Sequence, residues 1–76
     1  MNNKKSIEYC KAFGNNVRKL RLAKGFGMRE FANLADMEYS QLSKIERGVT
    51  NPTLSTCLAL AEGLEIPHQE LFAFKF

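Results

Sequence analysis

The stretch "YSQLSKIER", residues 39–47, sets Tyr39, Ser40, Ser43, Lys44 and Arg47 within nine positions. Hydroxyls, an ammonium and a guanidinium are donors suited to phosphate oxygens and to the acceptor atoms on guanine and thymine edges. Small serines also let a helix backbone come close to whatever it touches. No nucleophile is paired with a base anywhere in the chain, and no glycine loop of phosphate-cradling type is present, so the expectation is recognition and not enzymatic chemistry. The two cysteines, Cys10 and Cys57, are far apart, and the single histidine, His68, stands alone. Neither a metal site nor a cofactor is expected from such spacing, and the cysteines read as reduced, core-facing thiols.

These donors need a helix to put them on one side. At 100° per residue from Tyr39, Leu42 falls near ~300° and Ile45 near ~240°, which defines the buried direction. Ser40, Ser43, Lys44 and Arg47 lie opposite, Tyr39 sits beside them at the N-terminal end, and Glu46 points elsewhere. That outer face has cations and hydroxyls without an acid, unlike the Glu and Lys mixture of a solvated face. The predicted helix spans about residues 38–47 and stops at Gly48.

Four further helices follow from periodicity. Phe13, Val17 and Leu20, widened by Ala12 and Ala23, predict a first helix over about 7–24 with Gly25 as its stop. Phe31, Ala32 and Ala35 predict a short second helix over about 28–35, with a turn at Asp36 and Met37. "VTNPT" reads as a loop in which Thr53 caps a fourth helix, whose apolar face is Leu54, Cys57, Leu58, Ala61 and Leu64. "EIPHQELF" begins a last short helix with Pro67 in its first turn. The expectation is one all-α, five-helix domain over residues 7–76 preceded by a flexible tail, residues 1–6.

A chain of 76 residues is near the size at which one hydrophobic core becomes marginal, which argues against a deep catalytic cleft. No apolar run approaches the roughly 20 residues of a membrane span, and "MNNKKSIEYC" lacks the apolar region of a secretory signal, so a cytoplasmic protein is expected. The net charge of +3 conceals a segregation: residues 1–24 hold seven Lys and Arg against one acid, whereas acids outnumber bases in the remainder. Such polarity suits a polyanion-binding face on the N-terminal half.

"KGFGMREFANLADMEYSQLSKIERGVTNPTL" resembles the helix-turn-helix of phage-repressor and Cro-type (XRE-like) DNA-binding proteins. The resemblance rests on "KG", on "FA" in the second helix, on "IERG" ending the third and on the proline beyond, and it covers about Phe13 to Phe72. It implies a lambda-repressor-like fold with the helix-turn-helix at about 28–47 and the third helix entering the major groove of double-stranded DNA. Tyr39, Ser40, Ser43 and Lys44 then match the base-contacting positions. Arg18, Arg47, Thr50 and Asn51 match phosphate contacts, as does Met28 through its backbone N–H. The resemblance further pairs Glu46 with Arg21.

Three positions depart from the family pattern. Met28 stands where a glutamine commonly touches phosphate and braces the recognition helix, Gly27 replaces a Ser or Thr cap, and Asp36 occupies a turn position often held by glycine. Asp36 and Glu38 also place two acids at the tip of the third helix, where they can cap it and favour its dipole but repel phosphate. Selective rather than tight nonspecific binding is the expectation. The C-terminal "LFAFKF" admits two readings, core packing or a homodimer surface built from Leu71, Phe72, Phe74 and Phe76. The function expected is a transcriptional regulator, more specifically a repressor. Its alternatives are an autoregulating control protein of a mobile element, antitoxin or restriction system, and a protein-interaction module on the same fold that has lost DNA binding.

Overall fold

The computed structural model describes residues 3–76. Four α-helices, α1 (Lys4–Ala23), α2 (Met28–Leu34), α3 (Tyr39–Arg47) and α4 (Leu54–Leu64), are followed by a 3₁₀ turn, His68–Phe72, and no strand occurs among the described residues. The bundle therefore has four α-helices and a 3₁₀ turn, not five helices. Pro67 precedes that turn as its cap instead of lying within it. The turn stays short because Asn16 Nδ2 on α1 donates to the carbonyls of Glu70 and Leu71 at 3.0 and 2.8 Å, supplying partners from outside.

The first helix begins earlier than its apolar stripe suggests. The Asn3 carboxamide oxygen accepts from the Ser6 N–H at 2.8 Å, satisfying one of the donors a helix start leaves open. Residues 4–6 thus belong to α1 and not to a tail, while residues 1 and 2 of the expected tail lie outside the described residues. Gly25, with φ 79°, ends the helix as anticipated. The buried stripe is Phe13, Gly14, Val17 and Arg21; Leu20 is only half-buried and Ala23 is exposed.

Gly14 is the position at which α1 and α3 touch backbone to backbone. A Cβ there would lie 2.8 Å from the Glu46 carbonyl oxygen and nearer still to that of Ile45. The α2–α3 turn closes through Asp36, which takes φ 54°, and through a Met37 N–H donating to the Ala32 carbonyl at 2.9 Å. Ala32 is buried at this junction, where a larger side chain would separate the helices. At the far end of α3, Gly48 has φ 73° and packs so tightly on the Lys11 backbone that a Cβ would collide with it.

In α4 the Thr53 hydroxyl accepts from the Thr56 N–H at 3.2 Å, the cap read from the sequence. Its buried face is different: Leu60, Ala61 and Leu64 are in the core and Cys57 is half-buried, whereas Leu54 and Leu58 are 87% and 54% exposed. The helix "LSTCLALAEGL" carries its leucines, Cys57 and Ala61 over an arc wider than the contact it makes, so its periodicity does not single out the buried part. Gly63 lies close to α2, where a Cβ would come within 3.0 Å of the Phe31 ring and 3.2 Å of Ala35. Beyond Leu71, which is fully buried, Phe72 stacks on Phe13 with ring centroids 5.0 Å apart, and Tyr9 meets Phe74 and Phe76 at 5.3 and 4.9 Å.

Candidate nucleic-acid interface

A buried ion pair sets the attitude of α3. Arg21 Nε donates to Glu46 Oε2 at 2.7 Å and its Nη2 to Oε1 at 2.9 Å, while Nη1 donates to the Phe26 carbonyl at 2.9 Å. The two side chains are 7% and 5% exposed. The hydrogen bond that Arg21 donates to Glu46 raises the Arg21 pKa against the opposing effect of burial, so the guanidinium remains charged. One arginine thereby ties α1, the α1–α2 loop and the last turn of α3 together; the resemblance implied its pairing with Glu46 but not its bond to Phe26.

With Leu42 and Ile45 in the core, Ser40, Lys44 and Arg47 are exposed and Ser43 is half-buried. Arg47 Nε donates to Ser43 Oγ at 3.2 Å, so the guanidinium is held one turn back along the same face. Lys44 is exposed beside them and has no ion-pair partner among the described residues. The arrangement is a row of donors on a rigid helix, able to hydrogen-bond an anionic and acceptor-rich surface, and it contains no group poised to make or break a covalent bond.

The remaining predicted positions divide. Thr50 is half-buried and Asn51 exposed in the loop that follows α3, and Arg18 is exposed on α1. Met28 turns its side chain towards the core, leaving its backbone N–H in the first turn of α2 as the donor it can offer. Gly27 caps α2 without a side-chain bond, and Glu38, at the cap position of α3, makes no capping bond either. Glu38 is therefore not a side-chain cap of α3.

One residue of this surface escaped the sequence reading. The guanidinium of Arg29, on α2, lies over the Tyr39 ring at 4.7 Å from its centroid. An arginine beside the family's glutamine position was the available signal, but a surface arginine on a short helix has many possible partners. Away from this face, Cys10 and Cys57 are both free and half-buried and line one cleft with Phe13, Leu54 and Phe72. Burial pushes the Cys57 thiol up from its ordinary value, in keeping with a structural cysteine.

The model of the HTH_3 helix-turn-helix family matches residues 17–71, the span from the middle of α1 to the terminal turn. The chain belongs to the HTH_3 helix-turn-helix family. Among its relatives is an uncharacterized HTH-type transcriptional regulator, y4dJ, from Sinorhizobium fredii, 38% identical over 65 residues that cover 86% of this chain and 84% of that protein. Another is the HTH-type transcriptional regulator DdrOP3 from Deinococcus deserti, 36% identical over 72% of this chain but 43% of its own length. Among solved HTH_3-like structures, the restriction-modification controller protein C.AhdI from Aeromonas hydrophila superposes with a TM-score of 0.81 at 38% identity, covering 83% of this chain and 96% of that one. An HTH_3 family transcriptional regulator from Vibrio cholerae reaches a TM-score of 0.85 at 29% identity, covering 90% of this chain and 38% of that one.

Proposed function

We propose that this HTH_3 protein is a sequence-specific double-stranded DNA-binding transcriptional regulator acting as a repressor, with α3 as its recognition helix. The observation that carries this reading is the donor face of α3, held outward by the buried Arg21–Glu46 pair. Tyr39, Ser40, Ser43 and Lys44 read base edges in the major groove; Arg18, Arg47, Thr50, Asn51 and the Met28 N–H bind the phosphates alongside. The family's relatives are regulators rather than enzymes, and no helix among the described residues is long and apolar enough to cross a membrane.

A homodimer suits the surface. Leu71 is fully buried and Phe74 is half-buried against Tyr9, so neither is free to form an intersubunit core. Leu54, Leu58, Phe72 and Phe76 are exposed large hydrophobic residues and replace them as the apolar contact. Two copies joined there would present paired α3 helices to half-sites one DNA turn, about 34–36 Å, apart. The similarity to C.AhdI over nearly all of that protein's length favours, as a second reading within the same class, a controller of a restriction-modification system.

Mobility shift of the protein with a random duplex pool, followed by selection of the retained sites, tests the proposal. The expected result is retention that weakens steeply as salt rises, with a selected site bearing twofold symmetry. No salt-sensitive retention on any duplex would instead favour an interaction module on the same fold.

A further inference from the structure

We propose that Arg29 is a positioning residue for recognition: its guanidinium clamps the Tyr39 ring from α2 and so fixes the side chain that leads α3 into the groove. The inference rests on the DNA-binding reading and names a determinant of its specificity.

Tyr39 is the first residue of α3 and is 44% exposed, outside the core formed by Leu42 and Ile45. An aromatic side chain at such a place has several rotamers, and presenting one of them to a base edge costs entropy unless something holds it beforehand. Arg29 is the holder at hand, at 4.7 Å from the ring centroid and within the roughly 6 Å over which a cation and a ring attract. The helix that carries it is anchored, because Phe31 and Ala32 are buried in the core.

Two further observations assign the task to Arg29 and not to its neighbours. Met28, the preceding residue on α2, is turned inward and has no side-chain donor. Arg29 itself has no carboxylate within ion-pairing distance among the described residues, so its charge is turned to the ring and not to an acid. The phenol hydroxyl of Tyr39 makes no hydrogen bond among the described residues. The guanidinium thus lies on the face of the ring and is not bonded to its hydroxyl.

The test is a double-mutant cycle on Arg29→Ala and Tyr39→Ala, read as the affinity for the duplex selected by the wild-type protein relative to a random duplex. Arg29→Ala is expected to lower this ratio about 2- to 5-fold in the wild-type background and to leave it unchanged when Tyr39 is already alanine. Arg29→Lys, which keeps the charge but stacks less well, should recover the ratio only in part. A second measurement needs no DNA: the Arg29 side-chain protons should show an upfield ring-current displacement in the nuclear magnetic resonance spectrum that disappears in Tyr39→Leu. Equal loss on both duplexes in both backgrounds, with a salt slope lower by about 1, would make Arg29 a plain phosphate contact and overturn the proposal, as would undisplaced Arg29 protons. A wild-type protein that retains no duplex overturns the DNA-binding reading itself, whereas a wild-type protein that selects a site while the cycle is additive overturns the clamp alone.

Discussion

Arg21 on α1 and Glu46 on α3 are joined by two hydrogen bonds, of 2.7 and 2.9 Å, with both side chains almost entirely out of solvent. Removing one partner strands the other charge, so Arg21→Met should lower the unfolding free energy by about 3–5 kcal/mol. It also leaves the Phe26 carbonyl without its 2.9 Å donor. Glu46→Gln keeps an acceptor for the guanidinium and should cost less, about 1.5–3 kcal/mol. The double change Arg21→Met with Glu46→Leu should be more stable than Arg21→Met alone, because no buried charge is left. Urea denaturation of the four proteins measures this order, and a double variant no more stable than Arg21→Met would contradict it.

Gly14 tests whether α1 and α3 meet through their backbones. In a free helix, alanine is more favourable than glycine by about 1 kcal/mol, so propensity predicts that Gly14→Ala stabilises. A Cβ there would instead sit 2.8 Å from the Glu46 carbonyl oxygen, and neither backbone can yield without moving its helix. The expected result is a loss of about 1–3 kcal/mol in thermal or urea unfolding, the size of an overpacked core. A more stable variant would mean that the helices do not touch at this point.

Glu65 ends α4 at φ 57°, a left-handed conformation that costs a residue with a Cβ about 1–2 kcal/mol. The side chain is exposed, so nothing in the core depends on it. Part of the relief is returned through the greater freedom of glycine in the unfolded chain, and Glu65→Gly should stabilise by about 0.5–1 kcal/mol. Differential scanning calorimetry would register this as a higher melting temperature; an unchanged or lower one would show that Glu65 is not strained.

The exposed Leu54 and Leu58 are expected to lie between two copies of the chain. Leu54→Glu with Leu58→Glu should leave the folded monomer as stable as before, since both residues are more than half exposed. It should also shift sedimentation from dimer to monomer and weaken binding to the selected site. A dimer that survives both charges would move the interface elsewhere.

Much of this architecture was legible because it depends on local rules. Gly25 and Gly48 mark helix ends through positive φ, Thr53 is a cap by residue type, and Asp36 takes the left-handed turn position. The Arg21–Glu46 pair followed from motif resemblance, which carries three-dimensional information that periodicity lacks. What could not be read depends on distant neighbours. The apolar arc of α4 is wider than the part that is buried, so the periodicity leaves open that Leu60, Ala61 and Leu64 face the core while Leu54 and Leu58 do not. "LFAFKF" is divided between core and surface by Asn16, which holds the Glu70 and Leu71 carbonyls from more than 50 residues away. Gly14 reads as a weak point of a helix until its partner helix is in place, and Arg29 reads as a solvated charge until Tyr39 lies beneath it.

The central claim is that α3 divides its donors between bases and phosphates, and the comparison of Lys44→Ala with Arg47→Ala tests it most directly. Each variant is titrated against the selected duplex and a random duplex over a range of salt. Lys44→Ala should lower selected-site binding by about 1–3 kcal/mol while changing random-duplex binding much less. Arg47→Ala should weaken both alike and reduce the salt slope by about 1. Equal losses on both duplexes for both variants would contradict the assignment of Lys44 to base edges and of α3 to sequence readout.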